Sequence, residues 1–252
     1  MRFLCFQRQK YGEGGKTRYT TPVVKTMTRR YGPVTDVEAL SRKRPVLVTG
    51  AHDSGKSRWL ERLHTEAPGI WGKKTDAPAL WLGALRPLSA WSDVDHVAEW
   101  WGRRAAKAAE KAAEEGRQPG PECRPWLRVK AWERSEALPD YLKETGAVLF
   151  LDDCHKLTGR KLQIARECAL AARIWVAAAS EEPRIPPNLR GVLMRRDPQI
   201  FRLDSEVAYD ATNIFVWCLA LALLAAGAWE AGAAVAGLKA LASGRRASRQ
   251  DA

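Results

Sequence analysis

The sequence has no two cysteines at the spacing that a metal site or a redox pair requires. Its five cysteines are an odd number, and no Cys-x-x-Cys motif is present. A disulfide framework is therefore not indicated, and we expect reduced thiols in a cytoplasmic protein. The five are Cys5, Cys123, Cys154, Cys168 and Cys218.

Acidic residues are few beside the basic ones. The chain has 29 Asp and Glu against 41 Lys and Arg, which gives a formal net charge of +12 at pH 7. Such a surface favours nucleic acid or anionic lipid as a partner and says nothing about the fold. The start of the chain has too short an apolar run for a signal peptide. Apolar residues make up 46% of the chain, enough to bury a full core, so wholesale disorder is excluded.

The composition and the hydrophobic pattern of the sequence change at residue 45. Residues 1–44 are polar and basic without a sustained period, and they are predicted to be a loosely ordered arm. Met27 lies inside this arm and leaves open a later translation start. Across residues 45–204, short apolar runs alternate with helical patterns. This alternation predicts an α/β domain with a parallel sheet covered on both faces, a three-layer sandwich.

The first apolar run, PVLVTG, leads directly into GAHDSGKS, which has the spacing of a phosphate-binding loop (P-loop). A backbone that curls around phosphate needs Gly50 and Gly55, because a Cβ would intrude. Lys56 is expected to reach the β- and γ-phosphates of ATP, and the Ser57 hydroxyl to bind Mg²⁺. The alternative is a Gly-Lys turn without phosphate. The predicted nucleotide-binding residues are Gly50, Ala51, His52, Asp53, Ser54, Gly55, Lys56 and Ser57.

A second apolar run, AVLFLDD, ends in two acids about 100 residues further along. A strand that ends beside the P-loop must deliver an acid to the Mg²⁺ shell. We assign that role to Asp152, and to Asp153 the position of a base or of an acid that orients water. The alternative is that both acids merely cap the following turn. His155 and His52 flank the site, as groups that hydrogen-bond phosphate or water or as solvated side chains.

The order of these motifs resembles the AAA+ ATPases and the related STAND signalling NTPases. The P-loop strand is followed by the acidic strand and then by RIWVAAAS. The resemblance implies that Ser180 is a polar sensor near the γ-phosphate. It also implies that Arg195 or Arg196 is an arginine finger that reaches the nucleotide of a neighbouring subunit in a homo-oligomer.

Two departures from the AAA+ pattern bear on activity. Asp-Asp replaces the usual Asp-Glu, which is closer to the STAND pattern, and no room is left for the helical lid after the last strand. Slow hydrolysis, or a switch that only binds nucleotide, is therefore an alternative to a turning-over ATPase.

The longest uncharged run comes near the C-terminus. Residues 213–229 carry no charge, and a further apolar stretch follows Glu230. Because about 17–25 apolar residues span a bilayer as a helix, residues 213–238 are predicted to form a transmembrane or membrane-associated helix. A basic tail at 239–252 follows. A single pass, a hairpin, an in-plane helix and a helix buried at an oligomer interface remain open.

Three functions follow from these patterns. The first is a membrane-anchored, AAA+-like ATPase that uses ATP and Mg²⁺ to drive assembly or transport at the cytoplasmic face, with an unidentified protein partner. Its order of P-loop domain and membrane segment is similar in architecture to the zonula occludens toxin family of filamentous-phage assembly ATPases. The second is a nucleotide-dependent switch or scaffold that hydrolyses little. The third is a soluble DNA-handling ATPase, for which the basic charge and the 11 tryptophans argue.

Overall fold

The computed structural model of the chain describes residues 2–10, 17–27, 33–52, 54–72, 77–118, 120–203 and 225–227. Contacts divide the chain into two compact units, residues 1–205 and 206–252. The described part of the first unit contains two sheets, one antiparallel with three strands and one parallel with five.

The strands are β1 (Arg2–Lys10), β2 (Thr17–Met27), β3 (Val34–Ala39), β4 (Val46–Gly50), β5 (Leu80–Gly83), β6 (Leu149–Asp152), β7 (Trp175–Ala179) and β8 (Gln199–Leu203). The helices are α1 (Lys56–Trp71), α2 (Ser89–Ser92), α3 (Asp95–Glu114), α4 (Ala131–Glu136), α5 (Leu138–Thr145), α6 (Gly159–Ala171) and α7 (Pro187–Met194). The parallel sheet has the order β5-β6-β7-β4-β8. The expected α/β class with a parallel sheet is confirmed.

Strand β4 shows why the parallel strands read as continuous apolar runs. Val46 and Val48 are buried on one face of the sheet, whereas Leu47 between them is buried on the other. Since successive side chains of a strand point to opposite faces, a strand covered on both sides needs an apolar residue at every position. Each such side chain contributes about 1.5–3 kcal/mol on burial.

Different elements cover the two faces of the parallel sheet. One face packs against α1, which buries Trp59, Leu60 and Leu63 at helical spacing, and against the antiparallel sheet. The other face packs against α3, α5, α6 and α7.

The N-terminal residues differ from the loosely ordered arm expected at 1–44. Their described part forms β1, β2 and β3, paired antiparallel in that order. Leu4 and Val24 are buried in the core that α1 shares, and the Thr20 hydroxyl donates to Glu66 Oε2 of α1 at 3.3 Å. The β-branched residues of β2 favour a strand despite the charges between them. This antiparallel sheet belongs to the same compact unit as the parallel sheet.

Two local features set the bounds of helices. Helix α3 begins at Asp95, after the extended residue Val94. Residues 131–145 form two helices, α4 and α5, rather than one. The reason for the division is Pro139, which has no N–H to donate and stands in the first turn of α5.

The strand order creates two edges with different contents. At the carboxyl edge, β4 ends at Gly50, β6 at Asp152 and β7 at Ala179. At the amino edge, β4, β7 and β8 begin. Strand β7 lies between the P-loop strand β4 and the acidic strand β6, so the acidic strand is not the direct neighbour of the P-loop strand.

The predicted membrane helix at 213–238 and the basic tail at 239–252 lie outside the described residues, apart from residues 225–227. Among the helices of the described ranges, none combines the length and the apolar character that a bilayer span requires.

Candidate nucleotide-binding site

Two glycines bracket the loop between β4 and α1. A Cβ on Gly50 would stand 2.5 Å from the Leu203 carbonyl oxygen and 2.7 Å from Ser54 Oγ. Gly55 has φ +87°, a left-handed conformation that strains any residue with a side chain. Gly55 is also the N-cap of α1, and no side chain caps the first N–H groups of the helix, a type of position that binds anions.

Lys56 opens α1 and is only 8% exposed. Its ammonium donates hydrogen bonds to the carbonyl oxygens of Gly50 at 2.9 Å and Ala51 at 2.6 Å. A buried ammonium is costly unless it is paired, and these carbonyls compensate for its lost hydration. The loop therefore holds a positive charge among its own carbonyl oxygens.

The two predicted metal ligands lie together. Ser57 Oγ donates to Asp152 Oδ1 at 3.3 Å, although 95 positions separate them in the sequence. Burial raises the pKa of the Asp152 carboxyl, and the charge of Asp153 raises it further, while hydrogen bonds from Ser57 and the Asp153 N–H lower it. A divalent cation would relieve this cost, because it favours the ionised carboxylate.

The composition of this pair suits magnesium. Within the described ranges, no three His, Cys, Asp or Glu side chains cluster as a metal site would require. Ser57 and Asp152 offer one hydroxyl and one carboxylate. Mg²⁺ is commonly held by one or two protein oxygens, with phosphate and water in the remaining positions.

Asp153 starts the turn that follows β6. Its backbone is left-handed, with φ 55° and ψ 42°, which is uncommon for a residue with a side chain but tolerated by Asp. Its carboxylate pairs with Lys156 Nζ at 2.8 Å, and its carbonyl accepts from the Lys156 N–H at 2.8 Å. Asp153 thus begins the turn, and its carboxylate accepts from Lys156 Nζ rather than from a backbone N–H of the turn. This pairing was not predicted from the sequence.

Ser180 follows β7 and connects both sides of the site. Its carbonyl accepts from the Gly50 N–H at 3.0 Å, and its own N–H donates to His155 Nδ1 at 3.2 Å. Within the part of the chain that the structure describes, the buried Ser180 Oγ has no hydrogen-bond partner. A buried hydroxyl in that state costs free energy.

The remaining loop residues are placed only in part. Ala51 and His52 are exposed, and Ser54 is half-buried with its N–H directed to the Ala51 carbonyl at 3.3 Å. Asp53 lies outside the described residues.

Arg195 and Arg196 lie at the amino edge, far along the strands from the P-loop. The Arg196 guanidinium donates to the Ala172 carbonyl, to the Leu170 carbonyl at 2.9 Å and to the Arg173 carbonyl at 3.3 Å. It thus binds the C-terminal end of α6, where a positive charge is favourable. Arg195 is exposed. Of the two arginines, Arg195 is the one not held by the end of α6.

No protein-family model and no curated protein sequence matches the chain. Among solved structures, a DNA replication initiation factor matches at 14% identity and a TM-score of 0.34, over 72% of this chain and 44% of that one. The cytoplasmic domain of the Thermomonospora curvata type VII secretion ATPase EccC matches at 12% identity and a TM-score of 0.32, over 72% of this chain and 22% of that one. The chain thus spans less than half of either matched chain, and these values do not establish a family.

Proposed function

We propose that the chain binds ATP with Mg²⁺ at the loop of residues 50–57 and hydrolyses it. The observation that carries this proposal is the meeting of Ser57 with Asp152 at 3.3 Å. It lies beside a lysine held inside a loop whose two glycines would be replaced only at the cost of a steric clash at Gly50 or of backbone strain at Gly55. A strand that only happened to end in acids would not need its carboxylate beside the first turn of α1.

Magnesium, when bound, would neutralise phosphate charge and so favour attack at the γ-phosphate. Ser57 and Asp152 are the residues that would hold it. Lys56 would supply a positive charge to the phosphates, and the N–H groups at the start of α1 would supply hydrogen bonds. Ser180, with its buried hydroxyl, is the group proposed to contact the terminal phosphate or the attacking water.

The wider role is proposed from the sequence and from the placement of Arg195. An exposed arginine at the amino edge is free to meet the nucleotide of a second subunit, which supports an AAA+-like homo-oligomer. The apolar run at 213–238 supports attachment to a membrane, with the NTPase domain on the cytoplasmic side. Together these features favour ATP-driven assembly or transport at that face, with a protein partner.

A second function is favoured by one contact. Asp153, the proposed base, forms an ion pair with Lys156 at 2.8 Å. A carboxylate held in this way is poorly placed to accept a proton from water, which favours a nucleotide-dependent switch with little turnover. The two functions share the same binding site and differ in the rate of hydrolysis.

The test is ATP binding and turnover by the full-length chain, purified in detergent. We expect Lys56→Ala to weaken ATP binding about 100-fold, because charge-assisted hydrogen bonds contribute about 1.5–3 kcal/mol each. Lys107→Ala, which removes an exposed lysine of α3, is the matched control and should bind as the unaltered chain does. Equal binding by all three proteins would contradict the site.

Turnover then separates the two functions. Loss of turnover in Asp153→Asn, with ATP affinity unchanged, would establish hydrolysis with Asp153 in the catalytic position. Tight binding without turnover in the unaltered chain would establish the switch.

A further inference from the structure

The turn after β6 is held in place at three points. Cys154 and Leu157 are buried in the core on the α6 side of the sheet. Between them, His155 directs Nδ1 at the backbone N–H of Ser180, 3.2 Å away. The first two anchors are apolar and fix the depth of the turn. The third is directional and joins the turn to the end of a different strand.

The hydrogen bond defines the state of the imidazole. Nδ1 can accept from a backbone N–H only when it carries no proton, so the neutral ring bears its proton on Nε2. Burial lowers the pKa of His155, and the positive charges of Lys156, Lys56 and Arg184 lower it further, against the opposing charge of Asp153. These are the charged groups that face the ring from its own turn, from α1 and from the segment after β7.

The contact spans a gap that the strand order creates. Because β7 lies between β4 and β6, the P-loop and the acidic turn are not joined by direct strand pairing. Ser180 spans the distance with its backbone, since its carbonyl accepts from Gly50 and its N–H donates to His155. A continuous hydrogen-bonded path therefore runs from Gly50 through Ser180 to His155.

We propose that His155 is a positioning residue that holds the acidic turn, and with it Asp152, in register with the P-loop through the Ser180 N–H. The inference rests on the proposed function, because Asp152 matters only if Mg²⁺ binds with the nucleotide. His155 itself need not touch the nucleotide. Its contribution is to the Mg²⁺-dependent part of ATP affinity, whereas Lys56 contributes with and without Mg²⁺.

Two substitutions separate this role from a general structural one. Asn carries its Oδ1 at the same bond distance from the backbone as the Nδ1 of His, so His155→Asn keeps an acceptor for the Ser180 N–H. His155→Leu fills similar volume without an acceptor. ATP affinity of the full-length chain is measured with and without Mg²⁺, alongside thermal unfolding.

We expect the gain in ATP affinity from Mg²⁺ to fall about tenfold in His155→Leu, the equivalent of one lost hydrogen bond of about 1–1.5 kcal/mol. Affinity without Mg²⁺ should not change. His155→Asn should retain most of the gain. Equal gains in all three proteins, or equal losses in the Leu and Asn variants, would overturn the proposal, as would loss of Mg²⁺-free affinity in the Leu variant.

A measurement on the unaltered chain tests the contact without using nucleotide. The ¹⁵N NMR signals of the His155 ring should show Nδ1 as unprotonated and Nε2 as protonated at neutral pH. The opposite tautomer, or a doubly protonated ring, would overturn the inference. If Lys56→Ala binds ATP as well as the unaltered chain, the proposed function fails, and this spectrum still reports whether the ring has the tautomer that the contact requires.

Discussion

The two edges of the parallel sheet differ in how completely their charged and polar groups are paired. At the amino edge, Arg44 pairs with Asp197 at 2.7 Å, and Arg196 donates to three carbonyls at one helix end. At the carboxyl edge, two acids follow one another at 152 and 153, and the buried Ser180 Oγ has no partner among the described residues. At the amino edge, the charged groups of Arg44, Asp197 and Arg196 are thus paired with one another or with carbonyl oxygens. At the carboxyl edge Asp153 is paired with Lys156, but the pKa of the neighbouring Asp152 is raised by burial and by the charge of Asp153.

The contrast separates residues that stabilise the fold from residues that serve a site. Substitutions at the amino edge should change the free energy of unfolding and leave nucleotide affinity alone. Substitutions of the polar groups at the carboxyl edge should lower nucleotide affinity without lowering the free energy of unfolding. The reason is that unsatisfied or like-charged groups cost stability in the absence of a ligand.

The largest effect is expected at Gly50, where both the free energy of unfolding and the affinity for ATP should fall. In Gly50→Ala the new Cβ would meet the Leu203 carbonyl at 2.5 Å, and overpacking of this kind costs about 1–3 kcal/mol. Urea unfolding and ATP titration measure the two losses. Gly102→Ala, in α3 with nothing within 4 Å of the new Cβ, is the control and should stabilise by about 0.5–1 kcal/mol. An unaffected Gly50→Ala variant would show that the loop is not shaped as described.

The next largest effect is expected at Asp152, where a substitution should lower ATP affinity without lowering stability. Because its pKa is raised in the folded protein, the ionised carboxylate at pH 7 makes the fold less stable than a neutral group would. Asp152→Asn should therefore unfold at the same or higher urea concentration, while the Mg²⁺-dependent gain in ATP affinity falls about tenfold or more, the loss of one charged ligand. Asp140→Asn, which breaks an exposed ion pair with Arg104, should leave ATP affinity unchanged and cost under about 1 kcal/mol. A large loss of stability in Asp152→Asn would contradict the contrast.

A smaller effect is expected at Arg196, where a substitution should lower stability and leave ATP affinity unchanged. Arg196→Met removes charge-assisted hydrogen bonds from the end of α6 and should cost about 1–2 kcal/mol in urea unfolding. ATP affinity should not change. Arg195→Met should stay within about 0.5 kcal/mol. If Arg195→Met lowers turnover without changing affinity, the amino edge also serves the site of a second subunit.

The smallest effect concerns pH and a histidine away from both edges. His64 lies edge-on to the rings of Trp81 and Phe150, 5.5 and 5.1 Å away. Burial lowers its pKa below 6.5, so the unfolded chain binds a proton at a higher pH than the folded one. Stability should therefore decrease as pH falls through 6.5 and continue to decrease until the folded-state pKa is passed.

His64→Phe should make the urea midpoint less sensitive to pH between 7.5 and 5. Some dependence should remain, because burial also lowers the pKa of His96 and His155. An unaltered pH dependence in His64→Phe would show that this ring does not titrate with folding.

Local patterns carried much of the prediction. The P-loop motif, the helix after it and the acidic strand are each encoded in a short continuous segment, and the structure brings Ser57 beside Asp152. Their roles as metal ligands stay predictions. The parallel sheet also followed, since apolar runs covered on both faces have a recognisable composition.

Other features escaped the sequence analysis for physical reasons. The position of β7 between β4 and β6 depends on pairing between distant segments, and no local pattern encodes it. The antiparallel sheet was missed because charges interrupt its apolar alternation. The Gly-rich stretch YGEGGK between two runs with β-branched residues was nevertheless a signal for a hairpin. The pair between Asp153 and Lys156 was open to prediction from its spacing.

The pairing of β4 determines when the candidate nucleotide-binding site can form during synthesis of the chain. Its two neighbours are β7 and β8, and Val46 faces Val176 about 130 positions later in the chain. A chain synthesised only as far as residue 153 already contains the P-loop, Lys56 and both acids, but β4 has no strand on either side of it. Long-range pairing of this kind is slow to form. A nascent chain should therefore carry the complete motif from residue 153 onward without holding nucleotide, and acquire that capacity only when residues 199–203 arrive.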